Sequence, residues 1–134
     1  MGKLSAEDRL DIMEIIATYS RCIDEPRLDD LPALFTADCA VDCGPLGQFQ
    51  GTEGITRFAG MLKSIGQMMR HYTTNITIQG DGERARAQVY VLALVGPGPG
   101  KLTPSTGFYE DELVKQNGRW LFQSRKVLLD VPLA

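Results

Sequence analysis

The chain begins with an apolar residue every three to four positions. Ile12, Ile15, Ile16, Tyr19 and Ile23 fall together at about 100° per residue, and Asp11, Glu14 and Arg21 fall opposite. This rhythm predicts an amphipathic helix over residues 5–24. Ser5 is its candidate N-cap, Asp8 a short stand-in for the glutamate of a capping box, and Pro26 its stop. A second, short helix is expected over residues 28–35, with Leu31, Leu34 and Phe35 apolar. Residues 39–43 read as a strand. After the turn Gly44-Pro45-Leu46-Gly47, residues 48–50 can pair back on it. Thr52 is the candidate N-cap of a third helix ending near Gly66, with Ile55, Phe58, Ala59, Leu62 and Ile65 on one side.

From there the period changes to that of strands. Residues 71–79 are rich in Thr and Ile, Gly80-Asp81-Gly82-Glu83 turns the chain, and residues 84–95 follow. The tract Gly96-Pro97-Gly98-Pro99-Gly100 is expected as an exposed loop. Two more strands, 106–115 and 119–129, meet at Asn117-Gly118, the strongest short hairpin signal. Helices first and a long antiparallel meander afterwards mean an α+β fold, with a curved sheet wrapping a helix. Nothing in the chain suggests a repeat or a linker, so residues 1–134 are read as one domain, the usual number for this length.

Composition narrows the functional classes. A net charge of −3 without a dense Lys/Arg run argues against nucleic acid as a partner. The longest apolar run, residues 89–95, falls far short of the roughly 20 residues that span a bilayer, so no membrane association is expected. Residues 1–5 lead directly into a charged helical pattern, unlike a signal peptide. The three cysteines, Cys22, Cys39 and Cys43, lack C-x-x-C spacing, and the chain has one histidine. They are read as reduced, mostly buried thiols of a cytoplasmic protein rather than metal ligands.

Several short pieces in a fixed order carry a resemblance. They are Tyr19-Ser20-Arg21-Cys22-Ile23-Asp24, Leu34-Phe35-Thr36-Ala37-Asp38, Phe49-Gln50-Gly51, His71-Tyr72-Thr73-Thr74-Asn75, Gly107-Phe108-Tyr109 and Gly118-Arg119-Trp120-Leu121-Phe122. Across nearly the whole chain they resemble SnoaL-like proteins of the scytalone dehydratase and bile-acid dehydratase type, which share the fold of nuclear transport factor 2. The resemblance implies a cone with a deep apolar pocket between sheet and helices, dimeric or trimeric association, and chemistry without a cofactor or metal. In the dehydratase-like members the end of the first helix supplies a Tyr and, five residues on, an Asp, while a strand supplies a His. Tyr19, Asp24 and His71 match. The small subunit of ring-hydroxylating dioxygenases, a non-enzymatic assembly module, has the same fold.

The residues themselves are compatible with those roles and with plainer ones. Asp24 lies beside Met13 and Ala17 at the margin of the apolar arc, where a carboxylate is costly unless hydrogen-bonded. There it can orient His71, leaving the other ring nitrogen to move a proton near neutral pH. Tyr19 can donate to an oxygen on which charge develops. Against this, Tyr19 can be core, Asp24 can pair with Arg27, and a strand histidine can be structural. Side chains five apart on a helix also diverge by about 140°.

Asn75, expected to point with His71 and opposite Ile76 and Ile78, joins Tyr90, Tyr109, Arg125 and Asp42 as a candidate substrate contact. Arg125 and Asp42 each have a solvent-facing alternative. The chain lacks the second pocket histidine of scytalone dehydratase, and the ketosteroid isomerases' strand Asp and oxyanion pair have no clear counterpart, though Asp42 and Tyr19 leave that reading open. The expected function is therefore a lyase or isomerase acting on an apolar polycyclic, steroid-like or polyketide-like molecule. A polyketide cyclase, or a binding or assembly module, is the alternative. Apolar Val127, Leu129 and Val131 at alternate positions suggest a homo-oligomer, which the resemblance makes a homodimer or homotrimer.

Overall fold

A computed structural model describes residues 3–25 and 27–130. The elements are α1 (Ala6–Asp24), a 3-10 helix (Leu28–Leu34), β1 (Phe35–Asp42), β2 (Gln48–Gln50), α2 (Gly51–Ile65), β3 (Met68–Gly80), β4 (Arg84–Gly96), β5 (Thr103–Gln116) and β6 (Arg119–Leu129). The six strands form one curved, unclosed sheet in the order β2-β1-β6-β5-β4-β3. All neighbours are antiparallel except β1 and β6, which run parallel. The fold is α+β, as the order of periods predicts. Among the described residues no helix is long and apolar enough to cross a membrane.

Helix α1 lies across the sheet against β3 and β6 with Ile12, Ile15, Ile16 and Tyr19 buried. Its start is the expected capping box: the Asp8 amide donates to Ser5 Oγ at 2.9 Å and the Ser5 amide to Asp8 Oδ2 at 3.3 Å. The same carboxylate accepts from Trp120 Nε1 at 2.9 Å and Lys115 Nζ at 3.1 Å, tying the first turn to β5 and β6. Pro26, the expected stop, lies outside the described residues. The second segment is a 3-10 helix rather than an α-helix. It carries Pro32, which has no N–H to donate, and it buries Leu28, Leu31 and Leu34. Thr52 does not cap α2; Gln50 occupies the N-cap position and makes no side-chain bond there.

Strands begin earlier than the sequence pattern suggests. β1 starts at Phe35, opposite Phe122 of β6, and β5 starts at Thr103, opposite Val95 of β4. In each case pairing with a distant strand extends a weak local signal. The Asn117-Gly118 hairpin forms as expected, with φ of 53° and 76°.

Two bulges decide which side chains face α1. In β3 the register shifts between Thr74 and Thr77, so His71 and Thr73 before the shift share a face with Ile76 and Ile78 after it. Between β5 and β6 a second shift lies at Glu112 and Leu113, which sets Asp111 opposite Arg125 and Leu113 opposite Phe122. Val127 and Leu129 turn into the molecule, so they do not form the outer patch expected of them, and Val131 lies outside the described residues. The exposed large apolar side chains of the outer sheet face are Tyr72, Tyr90 and Leu92.

The bonds from Trp120 and then Lys115 hold the Asp8 carboxyl well below its ordinary value of 3.8. Folded Asp8 stays ionised after unfolded Asp8 has taken up a proton, so its stabilisation is complete at neutral pH and is lost as pH falls below about 4. Urea unfolding at pH 6 and pH 3 should show a larger loss between the two for the natural chain than for Asp8→Asn. Parallel losses would contradict this role.

Candidate active site

Asp24 is the last residue of α1, and its carboxylate reaches across to β3. Oδ2 accepts the main-chain N–H of His71 at 2.6 Å, and Oδ1 meets His71 Nδ1 at 2.5 Å. A carboxylate can only accept here, so Nδ1 carries the hydrogen, and in the neutral ring Nε2 is then the nitrogen with the free lone pair. The two side chains are 10% and 13% exposed, which shields the pair from bulk water without closing it off. The expected alternative, Asp24 paired with Arg27, does not occur; Arg27 faces Glu25 at 3.7 Å.

The imidazole lines a cavity of about 680 Å³ between the sheet and the helices, within the range of small-molecule sites. Its walls are apolar, among them Ile23, Phe58, Leu62, Val91, Val127 and Leu129. The polar or titratable residues of the lining include His71, Tyr19, Tyr109, Cys43 and Ser105. Among the described residues no Lys, Arg, Asp or Glu lines it, which suits a neutral ligand. The 140° divergence of Tyr19 and Asp24 is resolved by a division of labour. Tyr19 lines the cavity directly, and Asp24 stands behind His71.

Under the cavity floor lies a buried ion pair. Arg125 Nε and Nη2 each donate to a carboxylate oxygen of Asp111 at 2.7 Å, and neither side chain is exposed. The guanidinium carbon sits 3.9 Å from the Tyr109 ring centroid, 4.2 Å from that of Tyr19 and 4.4 Å from that of Phe122. Burial works against the Arg125 charge, but the Asp111 charge and hydrogen bonds outweigh it and push the pKa up. Burial raises the Tyr19 phenol well above its ordinary value. It pushes Tyr109 up to about 12, against the opposing pull of Arg125. Both phenols are therefore neutral O–H donors at physiological pH. Burial also pushes Cys43 up to about 12, so its thiol is a poor nucleophile. Among the described residues no three His, Cys, Asp or Glu side chains converge as a metal-binding group.

A family model of the SnoaL-like domain matches residues 4–126. The chain belongs to the SnoaL-like family. Its fold is similar to a protein of unknown function with a cystatin-like fold from Nostoc punctiforme (26% identity, TM-score 0.86, covering 99% of this chain and 98% of the other). It is also similar to a candidate scytalone dehydratase from Novosphingobium aromaticivorans (24%, TM-score 0.84, 93% and 85%). A third similar structure is a hexachlorocyclohexane dehydrochlorinase (20%, TM-score 0.84, 96% and 90%). The last two likenesses, at 24% and 20% identity, are likenesses of fold alone.

In this SnoaL-like chain Tyr19, His71 and Tyr109 share the cavity, with Asp24 behind His71. The other expected contacts lie elsewhere. Asn75 sits at the β3 bulge with φ 53° and is exposed, because the bulge reverses the alternation that would have aligned it with His71. Tyr90 is 58% exposed on the outer face, alternating with the inward Val89 and Val91. Asp42 accepts the Gly44 amide at 2.9 Å, closing the turn after β1. Arg125 is neither a surface charge nor a free fork for substrate, since Asp111 occupies the fork. Asp111 escaped the sequence reading. An unbroken two-residue hairpin would set Glu110, not Asp111, opposite Arg125, and only the bulge exchanges them.

Removing one member of this pair strands the other in the interior. Arg125→Met should cost about 3–5 kcal/mol in chemical denaturation. The double variant Arg125→Met/Asp111→Leu should recover most of that loss. A double variant no more stable than the single one would argue that the pair itself, rather than the stranded charge, holds this region together.

Proposed function

We propose that this SnoaL-like chain is a cofactor-independent lyase or isomerase that moves a proton next to a carbonyl of a neutral, apolar polycyclic or polyketide-like molecule. Supporting it above all is the Asp24–His71 dyad, in which the carboxylate engages Nδ1 while His71 lines an open apolar cavity. Nε2 takes the α-proton, and the C–H electron pair moves toward the carbonyl oxygen as an enolate. The Tyr19 phenol, with Tyr109 beside it, donates to that oxygen as its charge grows. Asp24 stabilises the imidazolium so formed.

In a dehydration, the enolate electrons return to form the C=C bond, the C–O bond to the β-hydroxyl breaks, and the leaving oxygen takes the proton from Nε2 as water. In an isomerisation the same proton returns to a different carbon. Two structural neighbours are named for eliminations, a dehydratase and a dehydrochlorinase, which supports the choice of reaction class. A module used only for assembly would have no need of an open cavity with a tautomer-fixed base.

The first step is measurable without knowing the final product. Neutral polycyclic ketones incubated in D2O should exchange α-protons faster with the natural chain, read by NMR. His71→Ala should lose about 10²–10⁴-fold of that acceleration while retaining its circular dichroism spectrum. Asp24→Asn should also slow exchange, and Tyr19→Phe should cost less than either. Undiminished exchange in His71→Ala would overturn the assignment.

A further inference from the structure

The strand registers place a second polar group opposite the base. His71 of β3 stands directly across from Ala93 of β4, and Ala93 directly across from Ser105 of β5. Directly opposed residues share a face of the sheet, and all three line the cavity. Two inter-strand steps separate His71 from Ser105, roughly 9.5 Å between backbones. The side chain between them in this row is the methyl group of Ala93. The neighbouring β4 positions on this face are Val91 and Val95, so Ala93 is a dent between two larger residues. The Thr106 hydroxyl is engaged, donating to Asp130 Oδ2 at 2.8 Å, whereas among the described residues the Ser105 hydroxyl has no protein partner.

We infer that Ser105 is a specificity-determining residue, holding a second oxygen of a flat, neutral, dioxygenated ring substrate that rests on Ala93 while His71 works at the opposite edge. This deepens the proposed function and rests on it for the role of His71. A serine hydroxyl both donates and accepts, so it serves either a ketone or a hydroxyl at that position. An apolar ring gains by filling the dent, and a polar group at its far edge is left without a partner unless Ser105 meets it.

The test uses 2-naphthol and 2,6-dihydroxynaphthalene as probes, with binding to the full chain measured by calorimetry. One hydroxyl of each can donate to His71 Nε2, and only the diol carries a second one for Ser105. The natural chain should bind the diol about three- to tenfold more tightly, the range of one neutral hydrogen bond. Ser105→Ala should abolish that preference and leave 2-naphthol affinity within about twofold. Ala93→Leu should weaken both probes more than about tenfold by filling the dent. The inference is overturned if neither probe binds the natural chain, if it shows no preference, or if the preference survives in Ser105→Ala. Ketone exchange and probe preference fail separately. Preference without exchange removes the proposed reaction and keeps the subsite, and exchange without preference does the reverse.

Discussion

The carboxylate of Asp24 joins the last residue of α1 to both the main chain and the ring of His71. A largely buried carboxylate is costly, and here two close hydrogen bonds offset the loss of water. The bond from the main-chain N–H fixes where β3 passes the helix end, and the bond from Nδ1 fixes which way the ring is turned. Asp8 performs a comparable task at the opposite end, joining the first turn of α1 to Lys115 and Trp120. The helix is thus anchored to the sheet by an acidic residue near each end. Its apolar side, from Ile12 to Tyr19, is held over the sheet at a fixed height, and the cavity opens between them.

Charge is kept out of that cavity and placed just beneath it. Arg125 and Asp111 neutralise one another inside the sheet, and the rings of Tyr19, Tyr109 and Phe122 cover the guanidinium. What a ligand meets is therefore phenol, hydroxyl, imidazole and hydrocarbon. An apolar, uncharged environment strengthens each hydrogen bond made within it and leaves the phenols protonated as donors. The same environment gives a charged ligand no compensation for its lost water.

How much of this was legible in the sequence depended on distance along the chain. Helix α1, its capping box and the Asn117-Gly118 hairpin rest on contacts within a few residues, and each formed where the pattern put it. The Tyr19, Asp24 and His71 set was visible through family spacing, and the structure brings Asp24 and His71 into contact with Tyr19 on the same cavity. Asn75 and Asp111 were illegible for a common reason. A bulge inserts one residue into a strand and reverses every later side chain, and local sequence does not mark where that happens. The early starts of β1 and β5 depend on strands far away in the chain. Tyr90 is different: the inward series Ala85, Ala87, Val89 and Val91 already assigned it to the outer face.

Asp24 is expected to hold the neutral ring of His71 in one tautomer, with Nδ1 protonated and Nε2 free. Because His71 is the chain's single histidine, long-range ¹H–¹⁵N correlation NMR of the ring near pH 8 reads that state without ambiguity. The expected spectrum has one nitrogen of protonated type at Nδ1 and one of unprotonated type at Nε2, with an Nδ1 proton protected from exchange and lost on Asp24→Asn. A ring protonated at Nε2, or one averaging between both forms like free imidazole, would contradict it.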